Sequence, residues 1–201
     1  MHIRGNGALE TRFRDALCAF DVAAAEALMH RALEEGLTPA EVCAQVIAPA
    51  TTAAGDPHLA TGVAYRALDV VAAAARTGAA PRSERILLTT ADDDERRHTL
   101  GLHMVATVLE GAGFEVLCPA SRLPTSVLRS LVSTQRPNVV GLVATRDLGN
   151  DRLHDTIHAV RETAPDARLL LVGDVEEAVE AVEAALAAAR SQNTQRVAVA
   201  G

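Results

Sequence analysis

From residue 85 onward the sequence alternates short apolar runs with longer helical patterns, and that rhythm leaves few folds open. The runs fall at 85–90, 114–118, 138–143 and 168–172. Helical spacing of apolar residues follows them at about 98–110, 125–134, 151–163 and 175–190. Val139-Val140-Gly141-Leu142-Val143 and Leu169-Leu170-Leu171-Val172 are nearly unbroken stretches rather than alternating ones. A strand reads that way when both its faces are covered. Parallel strands also need a long crossover between them, which the intervening helices supply. The expected fold is therefore α/β, a doubly wound parallel sheet of the flavodoxin or Rossmann-like kind. Arg196-Val197-Ala198-Val199-Ala200 is expected to add a fifth, edge strand.

Ahead of Pro81 the pattern is helical only. Leu9, Phe13, Leu17 and Phe20 mark one helix. Asp21 caps a second, with Val22, Ala25, Met29 and Leu33 on its apolar face and Gly36 at its end. Thr38-Pro39-Ala40-Glu41 is a start signal for a third, with a capping-box pair at Thr38 and Glu41 and a proline at the first helical position. This helix carries Val42, Val46 and Ile47 and weakens near Gly55-Asp56-Pro57. A fourth spans about 59–75 on Val63, Ala67, Val70, Val71 and Ala74. Four helices with short connections predict a small antiparallel bundle. Gly78-Ala79-Ala80-Pro81-Arg82-Ser83 reads as a linker, dividing a helical cap domain at 1–80 from an α/β domain at 81–201. With aromatics at 2% and no Trp, both cores must be built from Ala, Val and Leu.

Charge narrows the partners. Nineteen basic and 26 acidic residues give a net charge of −7 with no basic stripe, which excludes direct nucleic-acid binding as the expected role. No apolar run is long enough to span a bilayer. Cys18, Cys43 and Cys118 are widely spaced, without a CxxC pair. With no signal peptide in view, reduced thiols in the cytoplasm are expected.

Several side chains could carry chemistry. His98 lies just past the first strand, in a polar stretch placed where open α/β sheets bind ligands. The plain alternative is a loop histidine among charged neighbours. Asp92-Asp93-Asp94-Glu95 is similar to the acidic cluster with which receiver domains hold a divalent cation, but neither an Asp ending the third strand nor a terminal Lys accompanies it. A solvated acidic loop is the simpler reading. His154 and His158 share one helix face and lack a third ligand in register, which suits surface histidines better than a metal site. Cys118 reads as a small buried apolar residue and His103 as structural.

Together these residues resemble cobalamin-binding modules, which pair a four-helix cap with a flavodoxin-like domain. The family's loop motif is Asp/Glu-x-His-x-x-Gly, and the matching residues are Arg96-Arg97-His98-Thr99-Leu100-Gly101. His98 and Gly101 match, whereas Arg96 stands in the acidic position. Gly113-Phe114-Glu115-Val116 and Val139-Val140-Gly141-Leu142 resemble the second and third strands, with Pro124 at the start of the helix between them. Val46-Ile47-Ala48-Pro49-Ala50, then Gly55 and the following helix, resemble the cap of the light-sensing cobalamin-dependent regulators. There His58 replaces a Trp, and Leu68-Asp69 replace a Glu-His pair. Val143, with Thr145 nearby, stands for a Ser that packs near the cofactor's tail, and Gly173-Asp174 for a Gly-Gly pair.

The resemblance implies cobalamin as cofactor, adenosyl- or hydroxocobalamin, with His98 as lower axial ligand and sole metal-binding residue. It implies contacts from Thr99, Gly101, Val143, Thr145 and Gly173, and from His58 unless that side chain instead caps its own helix. The implied role is a sensor or regulator without catalysis of its own. With only a few residues ahead of the cap, it would act through a regulatory protein partner. A corrinoid carrier for methyl transfer is the alternative, and a module that keeps the fold for another ligand or partner is a third. The missing Trp and Glu-His weigh against the light response itself. Alanine-rich helices with little aromatic bulk also leave surface suited to a second copy of the chain.

Overall fold

The computed structural model describes residues 6–54, 57–90, 97–119, 123–143, 151–172, 175 and 177–199. Its helical region comprises α1 (Asn6–Cys18), α2 (Val22–Glu34), α3 (Pro39–Val42), a π-helical turn (Cys43–Ile47), α4 (Ala48–Ala53) and α5 (Pro57–Gly78). The start signals act as expected. Asp21 accepts from the amide of Ala24 at 2.9 Å. The Thr38 hydroxyl accepts from the Glu41 amide at 3.2 Å, and the Glu41 carboxylate accepts from the Thr38 amide at 2.8 Å.

The third helix is not uniform, and Pro49 accounts for it. A proline has no N–H to donate to the carbonyl one turn back, and its ring crowds that carbonyl. The turn just before it widens so that the amide of Ala48 reaches back to the carbonyl of Cys43. Cys43, Val46, Ile47 and Ala50 nevertheless stay fully buried.

The sheet has four parallel strands: β1 (Arg85–Thr90), β2 (Glu115–Leu117), β3 (Val139–Val143) and β4 (Arg168–Val172), in the order β2-β1-β3-β4. Helices α6 (Arg97–Gly111), α7 (Thr125–Gln135), α8 (Asp151–Thr163) and α9 (Ala178–Val199) cover it. Ile86, Leu88 and Val139 face α6 and α9. Leu87, Val140 and Leu142 face α7 and α8. This is the doubly wound α/β arrangement read from the sequence. The expected fifth strand is a correction, because residues 196–199 lie in α9. Its alanine-rich stretch extends from local bonds alone, whereas an edge strand would need a non-local partner.

Two glycines make the sheet possible. Gly113 ends α6 at a φ of +89°, and a Cβ there would run into the carbonyl oxygen of Ala80. A Cβ on Gly141 would lie 2.6 Å from Cδ2 of Leu88 on the neighbouring strand. Arg82 then ties the linker to the α/β part. Its amide donates to Gly113 at 2.8 Å, its guanidinium lies 4.4 Å over the Phe114 ring, and it pairs with Glu183 on α9 at 2.9 Å. Across the lower edge, Arg85 forks onto Glu115 at 2.8 and 2.9 Å. Asn138 accepts from the amide of Arg85 and, through its carbonyl, from that of Arg168.

Helix α6 is apolar on two sides. Leu102, Val105, Ala106 and Leu109 pack on the sheet. Leu100, Met104 and Val108 pack into the core of the helical region. Helix α6 therefore contributes to both cores. Truncating Leu109, which is fully buried, to Ala should cost about 3 kcal/mol. Thr38→Ala should cost about 1 kcal/mol through loss of the cap. Urea unfolding followed by circular dichroism measures both.

Candidate functional site

The strand order fixes where a ligand can lie. The chain moves outward from β1 to β2, then returns past β1 to β3, so the winding reverses between β1 and β3. A crevice opens at the carboxyl ends of two strands that diverge in this way. Thr90 and Val143 are paired there in register, with Val172 beside Val143. Thr90 is buried and Val143 half-buried.

His98 belongs to this end of the molecule, at the head of the helix expected from about residue 98. It lies in the first turn of α6, which starts at Arg97 because Leu100 and Leu102 draw that turn into both cores. The side chains of His98 and His58 lie outside what is described. His58 is helical too, in the first turn of α5. Thr145, Gly173 and the motif's Arg96 lie outside the described residues, as does the acidic run 92–95.

Gly101 is informative. It sits inside α6 between Leu100 and Leu102, both buried, yet nothing among the described residues lies within 4 Å of where its Cβ would be. A glycine inside a helix costs about 0.5–1 kcal/mol relative to alanine. Among the described residues no close contact accounts for that cost.

The sequence reading missed Tyr65, the chain's only tyrosine. From α5 it is hydrogen-bonded to the side chain of Thr99. Its ring meets that of His103 edge-on at 5.5 Å and 79°. Burial pushes the phenol up to about 12, with the bond to Thr99 acting the other way. His103 is held below its usual value by burial, against the pull of Asp69 and Glu110. Cys118, just past β2, is half-buried, and its thiol is pushed up to about 11 by burial and by Glu110. One signal was available: Tyr65 stands two helical turns after His58, on the same face of α5.

The remaining sequence candidates do not join this cluster. His154 and His158 are exposed on α8, with Nδ1 of His158 3.4 Å from Glu162. Among the described residues no group of three His, Cys, Asp or Glu side chains could hold a metal ion. No helix there is long and apolar enough to cross a membrane.

Residues 9–60 match the family model of the B12 binding domain. That segment is of the cobalamin-binding module family. A search of the curated proteins returns no match. Among solved structures, the chain is similar to the monomethylamine corrinoid protein of Methanosarcina barkeri, at 17% identity and a TM-score of 0.65 over 92% of this chain and 100% of that one. The methanol:cobalamin methyltransferase complex of Methanosarcina barkeri is matched at 15% identity and a TM-score of 0.49, over 90% and 80%. A cobalamin-binding protein of Desulfitobacterium hafniense is matched at 18% identity and a TM-score of 0.39, over 87% and 89%. The first of these shares the fold over most of this chain.

Cys43 is fully buried, its thiol pushed by burial up to about 12, while Cys18 is exposed. In the native protein at pH 8, a thiol reagent should therefore modify Cys18 first. Cys118, with about one thiolate in a thousand, should react far more slowly, and Cys43 only on unfolding. The raised values of Cys43, Cys118 and Tyr65 mean that the fold favours their protonated forms. Their contribution to stability is complete below the ordinary thiol value of 9.0 and is lost as pH rises toward 11 and 12. Thermal midpoints should fall steadily above about pH 9.

Proposed function

We propose that this chain is a cobalamin-binding protein without catalysis of its own, and that it holds the corrinoid at the carboxyl ends of β1 and β3 beside the head of α6. The observation that carries this reading is the matched B12 binding domain at 9–60, set against a whole-chain fold like that of a corrinoid protein. Among the described residues nothing lies within 4 Å of where a Cβ on Gly101 would be, beside His98 on the helix that follows β1, which supports a ligand there.

When bound, cobalamin would supply a cobalt centre, which His98 would hold. His98 is the candidate lower ligand, as a neutral imidazole whose second nitrogen needs an acceptor to set its orientation. Arg96 cannot accept, because a guanidinium only donates. Asp94 or Glu95 would fill that role. Thr99, Gly101 and Val143 border the same place, with Thr145, Gly173 and His58 as further candidate contacts.

We infer that the protein works through a protein partner, as a regulator. The motif departures at Arg96, Val143 and Asp174 suit a module that holds one cobalt state better than one that cycles through several. A second reading, a carrier of methyl groups, is favoured by the complete coverage of the monomethylamine corrinoid protein.

Hydroxocobalamin mixed with the protein in the dark should stay with it through gel filtration, and loss of all colour would end the cofactor reading. His98→Ala should shift the visible spectrum of the retained species. Gly101→Ala should act in opposite directions, raising stability by up to about 1 kcal/mol while weakening retention. Transfer of a methyl group to the bound cobalt by a partner enzyme would mark a carrier. Its failure, together with a change of assembly on cofactor binding, would mark a regulator.

A further inference from the structure

Helices α5 and α6 run side by side in the same direction. Tyr65 meets Thr99 and His103, and further along both helices a Cβ on Gly111 would lie 3.3 Å from that of Ala75. Beyond it, Arg76 pairs with Glu110 at 3.1 Å. The lower ends are thus locked by close packing of small residues. The upper ends are held differently, by the side chains around the first turn of α6. That turn has amides without partners inside the helix, as every helix start does. Leu100 seats it in the core of the helical region, and Thr99 gives it a polar tie to Tyr65.

We propose that Tyr65 is a positioning residue, whose hydroxyl, bonded to Thr99, fixes the turn that carries His98 against α5. Its effect on a bound corrinoid rests on the cofactor reading above, but its effect on the turn does not. The phenol suits this role because its ring is anchored edge-on against His103, one helical turn beyond Thr99. The hydroxyl is therefore presented from a braced side chain rather than a flexible one. A lysine or glutamate in the same place would bring a charge and several more rotatable bonds.

The test uses the full chain without cofactor, following backbone hydrogen exchange in Tyr65→Phe, Thr99→Val and the double variant. Tyr65→Phe keeps the ring contact and removes only the hydroxyl. Exchange at the amides of residues 101–104, which bond back to the carbonyls of the first turn, should rise about fivefold in either single variant, as loss of one hydrogen bond predicts. The double variant should be no faster than the singles, because both remove one interaction. An unchanged first turn, additive effects, or a rise shared by α1 and α2 would each overturn the proposal. If Tyr65→Phe does not fold, Thr99→Val alone decides between the same outcomes.

A second arm adds hydroxocobalamin. The visible spectrum of Tyr65→Phe should move toward that of His98→Ala, and an unmoved spectrum would overturn the positioning role at the site. Wild-type protein that retains no hydroxocobalamin would overturn the cofactor reading, while the exchange arm still decides the role of Tyr65. With one tyrosine and no tryptophan in the chain, intrinsic emission reports Tyr65 alone and checks that Thr99→Val leaves the ring in place.

Discussion

The structure depends on α6 having two buried faces. Leu102, Val105, Ala106 and Leu109 belong to the sheet's core, and Leu100, Met104 and Val108 to the helical region's. A helix apolar on both sides has no stable position at a surface. It must lie between two layers, so the helical region and the sheet are held together through one element. Each fully buried leucine or valine contributes on the order of 1.5–3 kcal/mol, so this shared seam outweighs the exposed ion pairs Arg76–Glu110 and Arg82–Glu183.

The same constraint sets the site. Because α6 follows β1 directly, fixing the helix fixes its first turn over the carboxyl end of β1, beside the switch point. His98, Thr99 and Gly101 sit on that turn. Their placement follows from burial of the leucines between and beyond them, and not from loop geometry. The polar contacts of Tyr65 refine a position that apolar packing has already chosen.

Much of this was legible in the residues. The capping box at Thr38 and Glu41 works through local hydrogen bonds, so its pattern alone predicts it. The near-continuous strands 139–143 and 168–172 signal a sheet covered on both sides, and the register of β1, β3 and β4 confirms that parallel pairing. The tail at 196–199 misled because its alternating valines suit a strand as well as a helix end. Only the competition between local helix extension and a distant edge decides such a segment. The head of α6 falls within one residue of the expected start, but what seats it was not legible. Its polar residues are conspicuous in sequence, while the burial of Leu100 becomes evident only once the helical region is packed against it.

By itself, the sequence determined the four strands β1–β4 and the helices between them, the parallel winding of the sheet, and the candidacy of His98 and Gly101. Those properties follow from periodicity, caps and residue chemistry, all of which act over a few residues. Tertiary structure alone decided that α6 serves two cores and that Tyr65 reaches Thr99 and His103 from another helix. Such facts depend on which faces meet across long separations in the chain, and burial of apolar surface settles that only when all the layers are present.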